Sequence, residues 1–315
     1  MKVSLVVTVL NEEPSIAALL ESLISQTRQP DEIVIVDGGS NDKTINIIKS
    51  YQKVIKGLKL LEFKTTRSEA RNIGIRASSG DVIVTTDAGC VAEKHWIKKI
   101  TQPFTDSKID MVAGFYEMIG GSSPMRRAMS VFIGVTPDKF DDHFLASARS
   151  LAFRKILWEK VGGFPEGLKD TAEDTMFNYN IIKAGAKIAR VKDAIVYWQL
   201  PLTLIEGFKK IFLYAKGDAR SGIWWHPTKK FSTHNIKIAF IYLRYIFALY
   251  FILFIPLFPV LKLPFVLGVV FYMFWAFKKV YTRTNDCLAG LSGVVVQFAS
   301  DIAVMCGFLS GLITI

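Results

Sequence analysis

The chain has 315 residues, of which 50% are hydrophobic, a high share for a purely water-soluble protein. Its formal net charge of +11 would allow a nucleic-acid ligand, but the apolar residues concentrate after about residue 236. Basic cytoplasmic loops beside an anionic bilayer explain the charge more simply, so we expect a membrane and no nucleic acid as partner. Three scattered cysteines, at 90, 287 and 306, argue against a disulfide framework and against a zinc site.

The first 63 residues alternate between apolar runs and amphipathic segments. β-branched and aliphatic runs predict buried strands over 3–10, 33–36 and 58–63. Apolar residues at helical spacing predict helices after Ser15 and over 44–56. This alternation predicts a parallel, doubly wound sheet with right-handed crossovers. The Gly-x-Gly-x-x-Gly fingerprint is absent after the first strand, which argues against a dinucleotide-binding fold of the NAD type.

A ligand site is predicted in the stretch 65–90. The stretch opens with Arg67 and Arg71, a helix is predicted over 68–77, and a strand over 81–86 delivers Asp87 to a loop. Ligands of open α/β sheets bind in the crevice outside the carboxyl ends of the strands, where Asp37 also follows its strand. Because arginine offers a rigid fork of donors to phosphate oxygens, the stretch indicates a nucleotide diphosphate.

The pattern is less regular from residue 93 to residue 200. We predict helices over 93–104, from 157 and over 172–184, and strands over 111–116, 151–154, 188–191 and 194–198. Residues 117–150 give no clear pattern apart from a turn cluster at 120–124 and an acidic, mobile loop at 137–143. Glu173 and Asp174 fall in the first turn of a predicted helix, where acidic residues favour a helix start by charge alone.

The last third of the chain predicts attachment to a membrane. Residues 202–216 form an amphipathic pattern, which 217–222 interrupt, and Trp224 and Trp225 are suited to a membrane interface. Apolar stretches over 236–261, 263–277 and 289–315 predict about three membrane segments, with a basic loop at 278–283 on the cytoplasmic side. Gln297 and Asp301 should face protein or a cavity rather than lipid.

Five stretches resemble, in the same order, those of the family 2 glycosyltransferases, the inverting nucleotide-sugar enzymes with the GT-A fold. They are VVTVLNEEPSI at 6–16, IVDGGSNDKT at 35–44, SEARNIGIRASSGDVIVTTDAG at 68–89, VGGFPE at 161–166 and AEDTMFNYNIIKAGAKI at 172–188. The resemblance spans about residues 3 to 200. It implies an α/β catalytic domain of GT-A type, Rossmann-like with a mostly parallel sheet, over 1–200. Amphipathic interface helices over 201–235 and a transmembrane region over 236–315 would follow.

The resemblance also implies roles for individual residues. The base and ribose of the donor would be lined by Thr8, Leu10, Asn11 and Glu12, with Asp37 on the base edge. Arg71, with Arg67, would face the diphosphate, and Asp87 would be the first acid of the metal and ribose motif. Asp174, in the Glu173–Asp174 pair, would be the general base. A divalent cation, Mg²⁺ or Mn²⁺, and the arginines would stabilise the departing charge.

Two positions depart from the family pattern. The second acid of the Asp-x-Asp motif is replaced by Gly89, so a metal would depend on Asp87 and a residue outside the motif. The strand over 194–198 often ends in histidine in this family and here ends in Trp198, which could stack against a sugar or lie at the membrane surface. Arg220 and Trp224 are candidates for closing the acceptor side, with plain membrane anchoring as the simpler explanation.

The sequence therefore predicts a multi-pass protein of the cell membrane with a cytoplasmic catalytic domain. It would move a sugar from a UDP- or GDP-linked donor to a hydroxyl of a membrane-associated acceptor, a lipid-linked molecule or a glycan. Two alternatives stay open: a polyprenyl-phosphate glycosyltransferase, whose acceptor is the phosphate itself, and a non-catalytic nucleotide-sugar-binding subunit of a membrane complex. A processive synthase is disfavoured because its Gln-x-x-Arg-Trp motif is not evident.

Overall fold

The computed structural model describes residues 1–168, 171–231 and 233–313. By its internal packing the chain divides into two compact units. The first unit comprises Met1–Ile119 and Thr136–Gln199, and the second comprises Gly120–Val135 and Leu200–Ile315. The segment 120–135 therefore packs with the last third of the chain although it lies between two strands of the first unit.

One sheet of eight strands forms the centre of the described part of the first unit. The strands are β1 Val3–Val9, β2 Glu32–Asp37, β3 Leu58–Glu62, β4 Val82–Asp87, β5 Cys90–Ala92, β6 Met111–Ile119, β7 Leu151–Arg154 and β8 Ile188–Gln199. Their order in the sheet is β3-β2-β1-β4-β7-β6-β8-β5. The strands β1, β2 and β4 are buried along nearly their whole length, as expected for parallel strands covered on both faces.

The sheet is parallel in its first half and mixed in its second half. The strands β3, β2, β1 and β4 run parallel, as do β6 and β8. The strand β7 lies antiparallel between β4 and β6, and the short β5 runs antiparallel to β8. The predicted α/β class is confirmed, while the antiparallel strands could not be predicted because strand direction depends on connections across the irregular stretch 117–150.

Helices cover the sheet of the first unit. They are α1 Ile16–Ile24, α2 Thr44–Tyr51, α3 Arg67–Ala77, α4 Trp96–Thr101, α6 Lys155–Lys160 and α7 Glu173–Lys183. The helix predicted over 44–56 ends at Tyr51, and the one predicted over 93–104 passes into a 3₁₀ turn at Gln102–Thr105, where Pro103 cannot donate a helical hydrogen bond. The two strands predicted over 188–198 are one continuous strand, β8.

The second unit is helical in its described part. It contains α5 Pro124–Ile133, α8 Leu204–Ser221, α9 His234–Phe254, α10 Lys262–Thr284 and α11 Cys287–Ile313. The sequence predicted only a turn cluster where α5 begins; Ser123 caps this helix by accepting from the backbone N–H of Arg126 at 3.3 Å. The predicted interruption at 217–222 is wrong, because α8 continues to Ser221 and ends at Gly222 with φ +61°.

Small residues explain why α8 stays helical. A Cβ at Gly307 of α11 would lie 2.2 Å from the backbone oxygen of Phe212, and one at Gly311 would lie 2.5 Å from that of Lys216. The two helices thus pack backbone against backbone, and Gly217 and Ala219 are buried in α8. This close packing outweighs the intrinsic cost of glycine in a helix, which is about 1 kcal/mol.

Three helices of the described chain are long and apolar enough to cross a membrane. They comprise His234–Phe254, Pro259–Thr284 and Cys287–Ile313. Asp301 of α11 is 1% exposed and accepts hydrogen bonds from Arg244 at 2.7 Å, Tyr245 at 3.0 Å, Gln297 at 2.9 Å and Tyr272. The prediction that Gln297 and Asp301 face protein is confirmed, since an unpaired charge in an apolar environment would be costly.

Candidate active site

The candidate site lies at the edge where the parallel strands end. In the sheet register Thr8 of β1 pairs with Asp87 of β4, and Val9 pairs with Asp37 of β2. Asp37 and Asp87 therefore flank the end of β1 on its two sides. Neighbouring strands are about 4.8 Å apart, so the backbones of Asp37 and Asp87 stand about 10 Å from each other along this edge.

Two loops that follow β1 and β2 are joined by side-chain hydrogen bonds. The Asn11 side chain accepts from the backbone N–H of Asn41 at 2.9 Å, and the Glu12 N–H donates to the Thr44 hydroxyl at 2.8 Å. Asn11 has φ +54°, a left-handed conformation that asparagine tolerates better than most residues. Leu10 is exposed and Thr8 and Glu12 are half-buried at this loop, and their contact with a base and ribose stays a prediction.

The Asp37 carboxylate makes its hydrogen bonds within the loop that follows β2. It accepts from the backbone N–H groups of Gly39 and Ser40, at 2.8 Å each, and from the Ser40 hydroxyl at 2.5 Å. This is the ordinary turn use of an aspartate, which the sequence allowed as the simpler explanation. The contact of Asp37 with a base edge stays a prediction.

Arg71 connects three segments that are far apart in the sequence. It is 2% exposed on α3, donates from Nη2 to Asp87 Oδ1 at 2.8 Å and donates from Nη1 to Glu173 Oε1. Arg67 is exposed one turn earlier, with its Nη1 3.9 Å from the same Glu173 oxygen. Burial disfavours the charge, but Glu173 and Asp87 outweigh it and raise the pKa of Arg71.

The helix α3 is held in place at both sides of Arg71. Thr66 and Glu69 form a reciprocal capping box at its first turn. The Asn72 side chain accepts from the backbone N–H of Phe164 at 2.9 Å and donates to its carbonyl at 2.8 Å. The Phe164 ring then lies 5.5 Å from the Arg71 guanidinium carbon. The VGGFPE turn thus helps to fix the direction of the buried arginine.

The acidic pair at the start of α7 faces this arginine. Glu173 is 4% exposed, and Ala172 before it has φ +74°, a conformation that costs free energy for a residue other than glycine. Asp174 is half-buried and accepts from the backbone N–H of Ala148 at 3.4 Å. Burial and the neighbouring Glu173 raise the pKa of Asp174 against the opposing effect of Arg71 and Arg149.

Arg149 was missed by the sequence analysis. Its Nε lies 3.7 Å from Asp87 Oδ2, and its guanidinium carbon lies 4.4 Å from the Trp198 ring centroid and 5.0 Å from that of Tyr116. Burial would raise the pKa of Asp87, but Arg71, Arg149 and Arg67 together hold it at about 2. No local motif marks Arg149, since it lies in the stretch 117–150.

The predicted site residues thus fall into three groups. Arg67, Arg71, Asp87, Glu173 and Asp174 come together with Arg149 and Trp198 in the first unit. Thr8, Leu10, Asn11, Glu12 and Asp37 lie along the ends of β1 and β2 in the same unit. Arg220 and Trp224 belong to the second unit, where the Trp224 ring packs edge to face with Phe308 at 6.1 Å, and their role at an acceptor stays a prediction.

The residues at Asp87 do not fit a metal centre. In residues 1–168, 171–231 and 233–313, no three His, Cys, Asp or Glu side chains are grouped so that they could hold a metal ion. Asp87 already shares its carboxylate between Arg71 and Arg149, and position 89 offers no side chain. A cation here would have to compete with two guanidinium groups for one carboxylate.

Known proteins match the chain in both sequence and fold. A family model described as "Glycosyl transferase family 2" matches residues 4–160. The chain is 27% identical over 172 residues to the glycosyltransferase AglE of Haloferax volcanii, covering 53% of this chain and 57% of AglE. It is 25% identical over 225 residues to the O-antigen chain rhamnosyltransferase RfbN of Salmonella typhimurium, covering 67% of this chain and 71% of RfbN.

A solved structure extends the likeness of fold to most of the chain. The mannosyltransferase PcManGT from Pyrobaculum calidifontis, determined in complex with GDP-Man and Mn²⁺, superposes with a TM-score of 0.67 and 19% identity. The match covers 94% of this chain and 86% of PcManGT. The matched motifs, the mixed sheet and the relatives agree: the chain carries a family 2 glycosyltransferase domain over residues 4–160.

Proposed function

We propose that this protein is an inverting glycosyltransferase that moves a sugar from a UDP- or GDP-linked donor to a hydroxyl group of a lipid-linked acceptor at a membrane. The observation that supports it most is the cluster of Arg71, Asp87, Glu173 and Asp174, which joins three distant segments at the carboxyl edge of the sheet. A buried arginine beside a carboxylate with raised pKa is suited to an anionic donor and a proton acceptor.

In this reaction the acceptor oxygen attacks the anomeric carbon of the donor while its proton passes to the Asp174 carboxylate. The bond from the anomeric carbon to the diphosphate oxygen breaks, and the nucleoside diphosphate leaves with the electron pair. Thr8, Leu10, Asn11, Glu12 and Asp37 bind the base and ribose. Arg71 and Arg67 face the diphosphate, and Glu173 orients Arg71. A single base is sufficient for one inverting displacement.

The three apolar helices support the membrane location of the acceptor. The helices α9, α10 and α11 have the length and composition of membrane spans. Basic side chains gather where α10 passes into α11: Arg283 lies in the last turn of α10, and Arg127 of α5 forms an ion pair with Asp286 at 2.5 Å. Following the positive-inside rule, we assign this end and the catalytic unit to the cytoplasmic side of the cell membrane.

The test uses the full-length protein in detergent, radiolabelled UDP- and GDP-sugars, and a lipid extract as acceptor. Asp174→Asn should lower transfer by about 10²- to 10⁴-fold and leave donor binding intact, because the base acts only in the chemical step. Asp106→Asn is the matched control, since Asp106 is exposed before β6, at the opposite edge of the sheet.

Two results would contradict the proposal. Full transfer by Asp174→Asn would point instead to a polyprenyl-phosphate acceptor, whose phosphate needs no base. Radiolabel found only in a water-soluble product, with none in the lipid fraction, would refute a lipid-linked acceptor.

A further inference from the structure

The guanidinium group of Arg149 stands between the acid of the metal motif and two aromatic rings. It approaches Asp87 Oδ2 to 3.7 Å from Nε and lies over the Trp198 ring at 4.4 Å and the Tyr116 ring at 5.0 Å. The two rings meet edge to face at 6.1 Å. Its side chain is 15% exposed, so a large part of the charge has left bulk water. Desolvated cation–π contacts of this kind are among the stronger ones.

The position of Gly89 explains what this charge replaces. A Cβ built at Gly89 would lie 3.9 Å from the indole Nε1 of Trp198 and 3.9 Å from Glu12 Oε2. The second acid of the family motif would therefore project toward the same tryptophan on which Arg149 stacks. The pairing of the strands agrees with this direction, because Cys90, which follows Gly89, pairs with Trp198 across β5 and β8. The positive charge of Arg149 thus lies beside the place that an Asp-x-Asp motif would furnish for a cation.

Asp87 is poorly placed to bind a divalent ion on its own. Its carboxylate takes a hydrogen bond from Arg71 at 2.8 Å and lies within ion-pair distance of Arg149. A metal would have to displace at least one guanidinium, and residue 89 supplies no carboxylate in return; the nearby Glu12 Oε2 already accepts a hydrogen bond from the Ser15 hydroxyl. Metals of the Mg²⁺ and Mn²⁺ type need several oxygen ligands.

We propose that Arg149, stacked on Trp198 and Tyr116, binds the diphosphate of the donor and stabilises its charge as it departs, so that the nucleotide is held without a divalent cation. This inference rests on the proposed function. Stacking holds the guanidinium by its face, Nη1 donates to the Ser147 hydroxyl at 3.1 Å, and Nε lies toward Asp87. In the donor complex the planar fork of this group would pair with phosphate oxygens, the geometry to which arginine is suited. Arg149 and Arg71 then supply two positive charges on the two sides of Asp87.

The experiment measures binding of UDP and GDP by calorimetry on the full-length protein, in EDTA and again with MnCl₂. The wild-type protein should bind one of them in EDTA, with less than about threefold change on adding Mn²⁺. Arg149→Ala should lower the affinity for the nucleoside diphosphate by about ten- to hundredfold, the usual range for the loss of a hydrogen bond to a charged group. The same substitution should lower the affinity for the nucleoside by less than about threefold, because the nucleoside carries no phosphate.

Two further variants separate the role of Arg149 from a general loss of structure. Arg149→Lys keeps the charge but not the planar fork, and should fall between wild type and Arg149→Ala. Arg76→Ala removes an exposed arginine in the last turn of α3 and should leave the affinity unchanged. Thermal unfolding midpoints of all variants report whether Arg149→Ala still folds.

Gly89→Asp provides the reciprocal test. The φ of Gly89 lies outside the left-handed region and its Cβ position has no neighbour closer than 3.9 Å, so an aspartate fits. In the Arg149→Ala background, Gly89→Asp should make binding of UDP or GDP dependent on Mn²⁺. With Mn²⁺, the double variant should bind at least tenfold more tightly than Arg149→Ala alone. Calorimetry with MnCl₂ alone should show ion binding to this double variant and none to wild type.

The outcomes distinguish this inference from the proposed function. If wild type binds UDP or GDP only with Mn²⁺, or if Arg149→Ala binds as tightly as wild type, the inference is overturned and a nucleotide-sugar enzyme remains. If neither UDP nor GDP binds with or without Mn²⁺, the proposed donor is wrong, and the inference falls with it.

Discussion

Removing the Arg71 side chain tests whether the buried ion pairs hold the site together. Arg71→Met leaves Glu173, 4% exposed, with its main partner gone and Asp87 with only the more distant Arg149 and exposed Arg67. Breaking a buried pair by removing one partner costs about 3–5 kcal/mol because an uncompensated charge remains. For a unit of this size that predicts a midpoint of thermal unfolding lower by roughly 6–20 °C.

The same variant changes how stability depends on pH. The pKa of Asp87 is about 2 in the folded protein, below the usual 3.8 of an aspartate, so its stabilising contribution is present above pH 3.8 and is lost as pH falls toward 2. A shift of this size corresponds to about 2 kcal/mol, which Arg71→Met should largely remove. Thermal unfolding in detergent, followed by circular dichroism between pH 2 and pH 7, measures both effects.

A double variant provides the refutation. Arg71→Met with Glu173→Gln removes both partners of the buried pair, so it should recover a substantial part of the lost stability. If the two substitutions destabilise additively, or if Arg71→Met leaves the unfolding midpoint unchanged, the two side chains are not coupled and the reasoning fails.

Three more predictions follow from other parts of the structure. The kcat/KM for transfer should fall on the acidic side of its pH profile at a pH above 3.8, because burial and Glu173 raise the pKa of Asp174. Glu173→Gln should move this acidic limb to lower pH. If the limb does not move, it reports the titration of another group. Gly114→Ala should destabilise the protein by about 1–3 kcal/mol in thermal unfolding, because its Cβ would lie 2.0 Å from Ser150 Oγ. Gly167→Ala is the control and should leave the stability unchanged, because no heavy atom lies within 4 Å of its Cβ position. Asp301→Leu should lower the unfolding midpoint of the detergent-solubilised protein, because Arg244, Tyr245 and Gln297 lose their common acceptor; equal stability would mean that these donors find other partners.

The sequence by itself determined the α/β class, the helices and strands up to β4, and the residues of the central cluster. Each of these features depends on a short stretch of sequence: the spacing of its hydrophobic residues, its turn residues, or a motif such as the one that ends in Asp87. Arg71, Asp87, Glu173 and Asp174 each lie in a stretch of this kind, and the resemblance of these stretches to the glycosyltransferase family implied that the four residues meet. The three apolar helices were also predicted, because length and composition are local properties.

The tertiary structure decided what no single stretch contains. Arg149 becomes part of the site only because β7 runs antiparallel beside β4, which brings the residues before Leu151 to the end where Asp87 lies. Trp198 faces Gly89 only because β8 pairs with β5, and α8 stays helical across Gly217 only because α11 packs against it. In each case the decisive contact joins residues distant in sequence, so its free energy is set by register and packing and leaves no local pattern to detect.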